Sequence, residues 1–373
     1  MYLPIRKWLS NDMNKVGPKV LGSEALQRFQ RLRSDAVKTV TDQFYSTHGA
    51  LYERFGQKGR EACGEDLAFH LEFLRPALEF GLLQPMVDYL RWLASVLAAR
   101  EIPTEHLAQS LDWLAEYFAT QMEESEGAAV ASTLQEVRAQ FVAAGGNPQP
   151  PMPAPTAWPE ATDFEAALLA GKQRDALDLV NRCLDQGRNL LDIELHVIEP
   201  SLYRIGEKWQ SNQVSVAQEH MATAIVESVM TVALLRAPPP VPINKKILLA
   251  CVEGNNHAVG LRMVADAFLL AGWDVQYLGA NVPTQALVNQ ASDWAPDLVG
   301  LSVSFPQQLR VVKAVIAELG GRLGTARPAV IVGGLAINRF NQLVDVIGAD
   351  ASSADARGAV DSASDIIGER SSR

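Results

Sequence analysis

The stretch KILLACVEGNNHAVGLRMVADAFLL, residues 246–270, contains an apolar run, a polar loop and then a helical pattern. The apolar run predicts a buried strand, and the periodic run after it predicts a helix. A nucleotide-binding sheet would place G-x-G-x-x-G in the loop between them, because phosphate needs close backbone approach. Here the loop has His257 between two asparagines and Gly260, which disfavours a dinucleotide site.

Residues 243–373 repeat this alternation of strand and helix. The strand-like runs are KILLACV, WDVQYL, DLVGLSV and PAVIVGG, with a weaker fifth run near residues 349–354. The pattern predicts a Rossmann-like or flavodoxin-like doubly wound parallel sheet. Ligands of such sheets bind outside the carboxyl ends of the strands, so the loops after Cys251, after Val303 and at Gly333 become candidates.

Two helical segments precede the predicted sheet. Residues 161–236 carry a seam with steps of four and three, which is typical of a small helix bundle. The seam consists of Leu191, Leu195, Ile198, Leu202, Ile205 and Trp209. Pro200 interrupts it and predicts a kink or a fresh helix start. Residues 1–142 predict an all-helical, globin-like domain of roughly six helices, and the proline-rich and glycine-rich residues 143–160 predict a semi-rigid linker.

Composition excludes several classes of protein. The net charge of −10, without a long basic run, disfavours binding to nucleic acid or to anionic membranes. Three scattered cysteines are too few for a disulfide framework and fit a reducing compartment. The N-terminus lacks the apolar core of a signal peptide, and no apolar run is long enough to cross a membrane. We therefore expect a cytoplasmic protein.

The loop imidazole is a candidate metal ligand. His257 should project from the top of the sheet, and neutral imidazole suits a borderline transition metal. No cysteine, aspartate or second histidine lies at ligand spacing, so the metal is expected inside an organic ring that fills its other positions. The alternative is a loop histidine with a structural role.

Three motifs together resemble the signature of cobalamin-binding domains. The loop resembles Asp-x-His-x-x-Gly, and Ser-Val-Ser and Gly-Gly follow where the family has Ser-x-Leu and a glycine pair. The spacings of 41 residues (261–301) and 28 residues (305–332) fit the family pattern. The residues concerned are Asn255, Asn256, His257, Gly260, Ser302, Ser304, Gly333 and Gly334.

The resemblance implies a role for each motif. His257 would replace the cofactor's own benzimidazole as lower cobalt ligand, and the displaced nucleotide tail would enter a slot beside the sheet. A serine hydroxyl would bond that tail, and the glycine pair would leave room for it. Asn255 stands where the family has a carboxylate that accepts the other imidazole N–H. We expect the Asn255 carbonyl, or Glu253, to accept that bond, which predicts a weaker and more labile bond between His257 and cobalt. The serine at position 304, where the family has leucine, has no explanation.

A second signature lies in the helical segment before the sheet. A capping-box pattern at Ser215 and Gln218 predicts a helix start just after it. Glu219 and His220 then fall in its first turn, and a short connection brings them close to Trp209.

Tryptophan, nine residues and then Glu-His resembles the cap of cobalamin-dependent photoreceptors of the CarH type. The resemblance implies that Trp209 packs over an upper adenosyl group and that Glu219 contacts its ribose. It also implies that His220 can bind cobalt after light has cleaved the cobalt–carbon bond. A bulky ligand under an indole would hold two domains at one separation, and its loss would release them. The alternatives are a core tryptophan and a first-turn acid stabilised by the helix dipole.

The N-terminal helical domain joined to these motifs resembles the photocobilins, which implies biliverdin as a second chromophore. Candidate contacts in this domain are His70, Cys63, Arg60 and Arg75. His70 lies among apolar helix residues and would face a tetrapyrrole, while the guanidinium groups suit propionates. The alternatives are a satisfied helix histidine and a structural thiol. We expect His48 and His106 to be surface residues.

These observations predict a light-sensing regulatory protein, not an enzyme, without catalytic residues. It would bind adenosylcobalamin between cap and sheet, assemble as a homo-oligomer in a light-dependent way and signal through an unidentified partner. One alternative is a corrinoid protein of a methyltransferase system. Another is a heme-binding redox or gas sensor that holds iron through His257 or His70.

Overall fold

The computed structural model describes residues 20–145, 156–339, 344 and 347–371. Contacts divide the chain into two compact units, Met1–Gln149 and Pro150–Arg373, which are described separately. The central part of the predicted linker, residues 146–155, lies outside the described residues. No helix within the described ranges is long and apolar enough to cross a membrane.

The first unit is entirely helical over its described residues. Its α-helices are α1 (Ser23–Tyr52), α2 (Gly56–Phe80), α3 (Gln84–Ala98), α4 (Glu105–Gln121) and α5 (Glu124–Ala143). The sequence predicts roughly six helices over residues 1–142. Residues 1–19 of that range lie outside the described residues, so the structure tests this number only for the remainder. Leu67, Leu71, Leu74 and Leu78 of α2 are buried, because apolar side chains at helical spacing share one face.

The second unit begins with a helical cap. Its helices are α6 (Glu160–Leu169), α7 (Gln173–Asp185), α8 (Leu190–Ile193), α9 (Glu199–Gln210) and α10 (Val216–Arg236). A π-helical turn, Glu194–Ile198, joins α8 to α9, and Pro200 lies in the first turn of α9. The interruption predicted at Pro200 takes the form of this π-helical turn, because the backbone stays helical from α8 into α9. The predicted capping box is confirmed, since the Ser215 hydroxyl and the Gln218 side chain each bond the other's backbone.

The rest of the second unit is a doubly wound parallel sheet, as predicted. Its strands are β1 (Lys246–Cys251), β2 (Asp274–Tyr277), β3 (Leu298–Ser302), β4 (Ala329–Gly333) and β5 (Ala351–Ser352). The helices between and after them are α11 (Val259–Leu270), α12 (Thr284–Trp294), α13 (Leu309–Leu323), α14 (Leu335–Arg339) and α15 (Ala356–Ser371). The strand order is β2-β1-β3-β4-β5. The chain adds β2 on one side of β1 and the later strands on the other side, so the topological switch point lies between the parallel strands β1 and β3. A ligand crevice is expected at that point.

The register of the sheet brings the three predicted motifs together. Cys251 pairs with Ser302, and Ser302 pairs with Gly333, so three strands end side by side. The cap packs against the helices of the sheet domain, where Met263 and Ala356 join its apolar core. The loops that follow β1, β3 and β4 therefore lie at one edge of the sheet.

Candidate functional site

The loop after β1 is organised by the buried amide of Asn255. This residue is fully buried, and its Nδ2 donates to the carbonyl oxygen of Ser302 at 2.9 Å. Its Oδ1 accepts the backbone N–H of His257 at 3.1 Å. The predicted hydrogen bond from the imidazole to this carbonyl is not present in the structure, where the carbonyl accepts the backbone N–H of His257. Glu253 does not replace it, since its carboxylate accepts from the backbone N–H of Thr284 at 3.5 Å.

The imidazole of His257 is open at the edge of the sheet. The residue is exposed, and its ring nitrogens make no hydrogen bond with any residue that the structure describes. The ring packs against Phe305 in an edge-to-face arrangement, with centroids 5.2 Å apart and planes at 76°. Desolvation by the surrounding protein lowers the pKa of His257, and the charge of Glu219 partly opposes this. A low pKa favours the neutral imidazole that binds metals.

Two further side chains that the sequence analysis missed fix the same loop. Gln308 is 5% exposed and donates from Nε2 to the carbonyl oxygen of Gly254 at 2.8 Å. Asn281 accepts the N–H of Gly254 at 2.7 Å through Oδ1, and its own N–H donates to the carbonyl of Asn255 at 2.9 Å. Both residues lie in loops at carboxyl ends of strands, so the rule that selected those loops could also have selected their amides.

The serine and glycine motifs lie beside this loop but differ in what they do. Ser302 is buried, and its Oγ lies 3.4 Å from Asn255 Nδ2. Gly333 is half-buried, and an added Cβ would meet the carbonyl oxygen of Ser353 at 3.1 Å. Gly334 has φ +98°, and an added Cβ would lie 2.6 Å from the carbonyl oxygen of Val303. The backbone of this chain therefore already requires Gly334, whatever ligand is bound.

Two positions of the motifs remain open. An added Cβ at Gly260 would meet no atom within 4 Å, so this turn of α11 faces open space. Asn256 is exposed in the same loop.

Ser304 is half-buried, and its backbone N–H donates to Gln308 Oε1 at 3.0 Å. Its side chain has no explanation in the structure.

The cap presents its predicted residues at the end of α9 and the start of α10. Trp209 is half-buried one residue before α9 ends. The Glu219 carboxylate pairs with Nδ1 of His220 at 2.6 Å and accepts from Thr223 Oγ1 at 3.2 Å. The His220 side chain is 75% exposed. Because Glu219 acts on the pKa of His257, this end of the cap lies within electrostatic range of the sheet edge.

The histidine proposed to face a bilin is buried in the first unit. His70 is 1% exposed, its Nδ1 lies 3.1 Å from the Tyr89 hydroxyl, and its ring also bonds the backbone of Asp66. Burial lowers its pKa to about 4. This ring is satisfied by the protein itself, as the structural alternative expected.

The other bilin candidates also have partners or are shielded. Arg60 forms an ion pair with Asp42, and Arg75 bonds Glu79 at 3.1 Å. Burial raises the pKa of the Cys63 thiol to about 12, so little of it is thiolate near neutral pH.

The expectation that His48 and His106 are surface residues is wrong. Both are half-buried, and their rings stack with centroids 4.0 Å apart. His48 bonds Gln109 at 2.7 Å, and His106 bonds the Tyr52 hydroxyl at 2.7 Å. Neighbouring aromatic rings on α1 and α4 provide partners that spacing within one helix could not reveal.

The chemistry of the sheet edge fits a corrinoid. No group of three His, Cys, Asp or Glu side chains in the described part of the chain is placed to hold a bare metal ion. A corrin needs only axial ligands, and the open imidazole of His257 is a suitable nitrogen donor. An added Cβ at Gly260 would meet no atom within 4 Å, and the charge of the cap acid Glu219 reaches His257, so the loop is open at Gly260 and lies within electrostatic range of the cap.

Comparisons with known proteins agree with this chemistry. B12 binding domain families match residues 160–234 and residues 245–363. The chain is 30% identical over 176 residues to the HTH-type transcriptional repressor CarA of Myxococcus xanthus, covering 46% of this chain and 58% of CarA. It is 31% identical over 212 residues to the repressor CarH of the same organism, covering 57% and 69% of the two chains.

A relative of a different kind matches the same region. Dimethylamine corrinoid protein 3 of Methanosarcina acetivorans is 30% identical over 166 residues, covering 42% of this chain and 77% of that protein. Regulators and corrinoid proteins thus share this module. The chain belongs to the family of B12-binding proteins that includes the transcriptional repressor CarH and dimethylamine corrinoid protein 3.

Proposed function

We propose that this protein is a light-responsive regulator that binds adenosylcobalamin between the cap and the carboxyl edge of the sheet. His257 serves as the lower cobalt ligand, and Trp209, Glu219 and His220 face the upper ligand. The observation that carries the proposal is the pairing of two features. An exposed imidazole, whose ring nitrogens have no hydrogen-bond partner among the residues that the structure describes, lies within electrostatic range of the cap acid Glu219.

The residues of the cap would sense what occupies the space above the corrin. Bound adenosylcobalamin would supply the absorption of light and the bond that light cleaves. Trp209 would cover the upper ligand, and the Glu219 carboxylate would accept hydroxyl hydrogen bonds from it. His220 is exposed and held by a single carboxylate, so it can turn toward the corrin once space is available. The cap would thus have two arrangements, one with the upper ligand bound and one after its loss. A ligand that favours one of two arrangements makes the protein a switch.

Illumination tests the proposal. The full chain is reconstituted with adenosylcobalamin in the dark, exposed to green light and followed by absorption spectroscopy. We expect a light-driven spectral change that ends with a stable bound product. A His220→Ala variant should undergo the same initial change but yield a different final spectrum. A dark-adapted complex whose spectrum light leaves unchanged would overturn the proposal.

We extend the proposal to assembly, with the chain as a homo-oligomer whose association changes in light and is read by a downstream partner. Size-exclusion chromatography with light scattering, in darkness and after illumination, measures this. Trp209→Ala should weaken the coupling between light and assembly, whereas Trp209→Phe, which keeps an aromatic cover, should retain most of it. Equal elution of the wild-type protein under both conditions would contradict this part.

We also propose that the helical first unit binds biliverdin as a second chromophore. Its support is the resemblance of a helical domain joined to B12-binding domains. Because the Cys63 thiol has a pKa of about 12, binding should be non-covalent. Biliverdin added to the protein should give a shifted red absorption band that denaturation releases from the chain. Cys63→Ala should leave the band unchanged, and absence of any band would contradict the proposal.

A second candidate function is that of a methyl-carrying corrinoid protein, favoured by the match to dimethylamine corrinoid protein 3. A carrier must expose its cobalt to a partner enzyme, for which a lid of Trp209, Glu219 and His220 has no evident use. Transfer of the methyl group in the dark from methylcobalamin bound to this chain to a thiolate acceptor, with cobalt(I) left on the chain, would favour the carrier if His220→Ala leaves the rate unchanged.

A further inference from the structure

The ring of Phe305 is placed against the imidazole of the proposed cobalt ligand. Phe305 lies in the loop between β3 and α13, and its ring meets that of His257 at 76° with centroids 5.2 Å apart. Aromatic rings at this distance prefer the edge-to-face arrangement. The contact therefore restricts how far the imidazole can tilt or rotate.

The loop that carries Phe305 is held by the side chain of Gln308. Its Oε1 accepts the backbone N–H groups of Ser304 at 3.0 Å and Phe305 at 3.1 Å. Its Nε2 donates to the carbonyl oxygen of Gly254 at 2.8 Å, three residues before His257. One buried amide thus fixes the loop of the ligand and the loop of its aromatic neighbour relative to each other.

The usual means of orienting a ligating histidine is not seen here. Metal-bound imidazoles commonly donate their second N–H to a carboxylate or carbonyl, which fixes the ring and raises its basicity. The carbonyl of Asn255 is bonded to the backbone of His257 instead, and Glu253 bonds Thr284. Among the described residues, the contact with Phe305 is therefore the interaction that restrains the imidazole ring.

We infer that Phe305, held by Gln308, is a positioning residue that sets the direction of the His257 imidazole toward cobalt. This inference rests on the proposed role of His257 as lower ligand. A contact with a neutral aromatic ring restrains direction without a charge that would raise basicity. The ligand would thus be well aimed but weakly donating.

Cobinamide is a suitable probe because it lacks the benzimidazole tail, so an imidazole bound to its cobalt comes from the protein. Full-length protein is loaded with cobinamide in the dark, and the visible spectrum gives the ratio of histidine-bound to water-bound cobalt. Phe305→Leu, which keeps apolar bulk, should lower this ratio about threefold to tenfold. Phe305→Tyr should restore it.

Gln308→Glu should lower the ratio more strongly, about tenfold or more, because a carboxylate facing the Gly254 carbonyl cannot donate to it. Gln307→Met is the neighbouring control, since it keeps the length of a side chain whose buried Oε1 makes no hydrogen bond among the described residues, and it should leave the ratio unchanged. Thermal unfolding of each variant without corrinoid is measured in parallel. If Phe305 and Gln308 have only a structural role, their variants should unfold at a lower temperature. The protein that remains folded should then show the wild-type ratio of histidine-bound to water-bound cobalt.

The outcomes separate this inference from the proposed function. If wild-type protein shows no histidine-bound cobinamide, or if His257→Ala retains it, the proposed ligand is wrong. If His257→Ala loses it but Phe305→Leu and Gln308→Glu keep the wild-type ratio, only the positioning role is overturned. A loss in both variants that Phe305→Tyr reverses supports it.

Discussion

The two units of this protein treat their histidines in opposite ways. In the helical unit, His70 is buried and bonded to Tyr89, and His48 and His106 stack on each other with a partner each. At the sheet edge, His257 has its backbone fixed by Asn255 but no bond to its ring nitrogens among the described residues. Polar groups in a protein interior form hydrogen bonds with other side chains of the protein. At the proposed binding site, hydrogen bonds fix the backbone of the loop and leave the histidine side chain available to a ligand.

The largest expected difference between the two regions comes from removing one histidine from each. His257→Ala should weaken cobalamin binding about hundredfold or more, because loss of outer-shell partners alone costs tenfold to hundredfold. It should leave the free energy of unfolding of the apoprotein almost unchanged. Isothermal titration calorimetry measures the binding.

The matching change, His70→Ala, should do the reverse. It opens a cavity and leaves the Tyr89 hydroxyl without its partner, so the free energy of unfolding should fall by about 2–3 kcal/mol. Urea denaturation measures this loss, and cobalamin affinity should stay within about twofold of the wild type. Equal effects of both variants on affinity would remove the contrast between the regions.

Two glycines sharpen the same contrast within the sheet edge. Gly334→Ala should destabilise the protein by about 2–3 kcal/mol, because its φ of +98° and the Val303 backbone exclude a Cβ. Gly260→Ala should stabilise the apoprotein by up to about 1 kcal/mol, since alanine is the better helix former. If the corrinoid occupies the open space there, the same change should lower cobalamin affinity. Unchanged affinity would place the corrinoid elsewhere.

The interface between cap and sheet domain gives a smaller, pH-dependent effect. Burial, and to a lesser extent Asp355, raise the pKa of Glu199 from 4.5 to about 7. Between these values the folded state keeps a proton that the unfolded chain releases, so stability falls as pH rises from about 4.5 to 7. After allowance for partial exposure, the loss should be about 2 kcal/mol.

Substitution of Glu199 tests this effect. Glu199→Gln should match the wild type near pH 4.5 and be more stable above pH 7, the values between which this carboxyl titrates. Urea denaturation at both pH values measures the difference, with Glu207→Gln on the exposed side of the same helix as control. A variant with the pH dependence of the wild type would show that Glu199 does not titrate in this range.

The sequence predicted those features that depend on neighbours along the chain. Strand runs, the interruption of the helix near Pro200 and the capping box at Ser215 all follow from local patterns. The motif spacings placed His257, Ser302 and Gly333 at one edge, because parallel strands end together. Only the fold could show that Asn255 bonds the backbone of His257 rather than its ring.

The missed residues depend on contacts between distant segments. Gln308 reaches Gly254 from a loop 54 residues away, and no local pattern marks such a contact. The stacking of His48 on His106 joins two helices in the same way. Polar side chains that bridge loops are thus the part of a site that single-sequence reasoning finds last.

The proposed function depends on a bond between the imidazole of His257 and cobalt. Electron paramagnetic resonance of protein-bound cobalt(II) cobalamin tests this bond, with histidine labelled with heavy nitrogen throughout the chain. We expect the label to change the nitrogen splitting of the cobalt signal, and we expect His257→Ala to abolish this change while His220→Ala keeps it. A splitting that is insensitive to the label would show that no histidine holds the metal and would exclude His257 as the ligand.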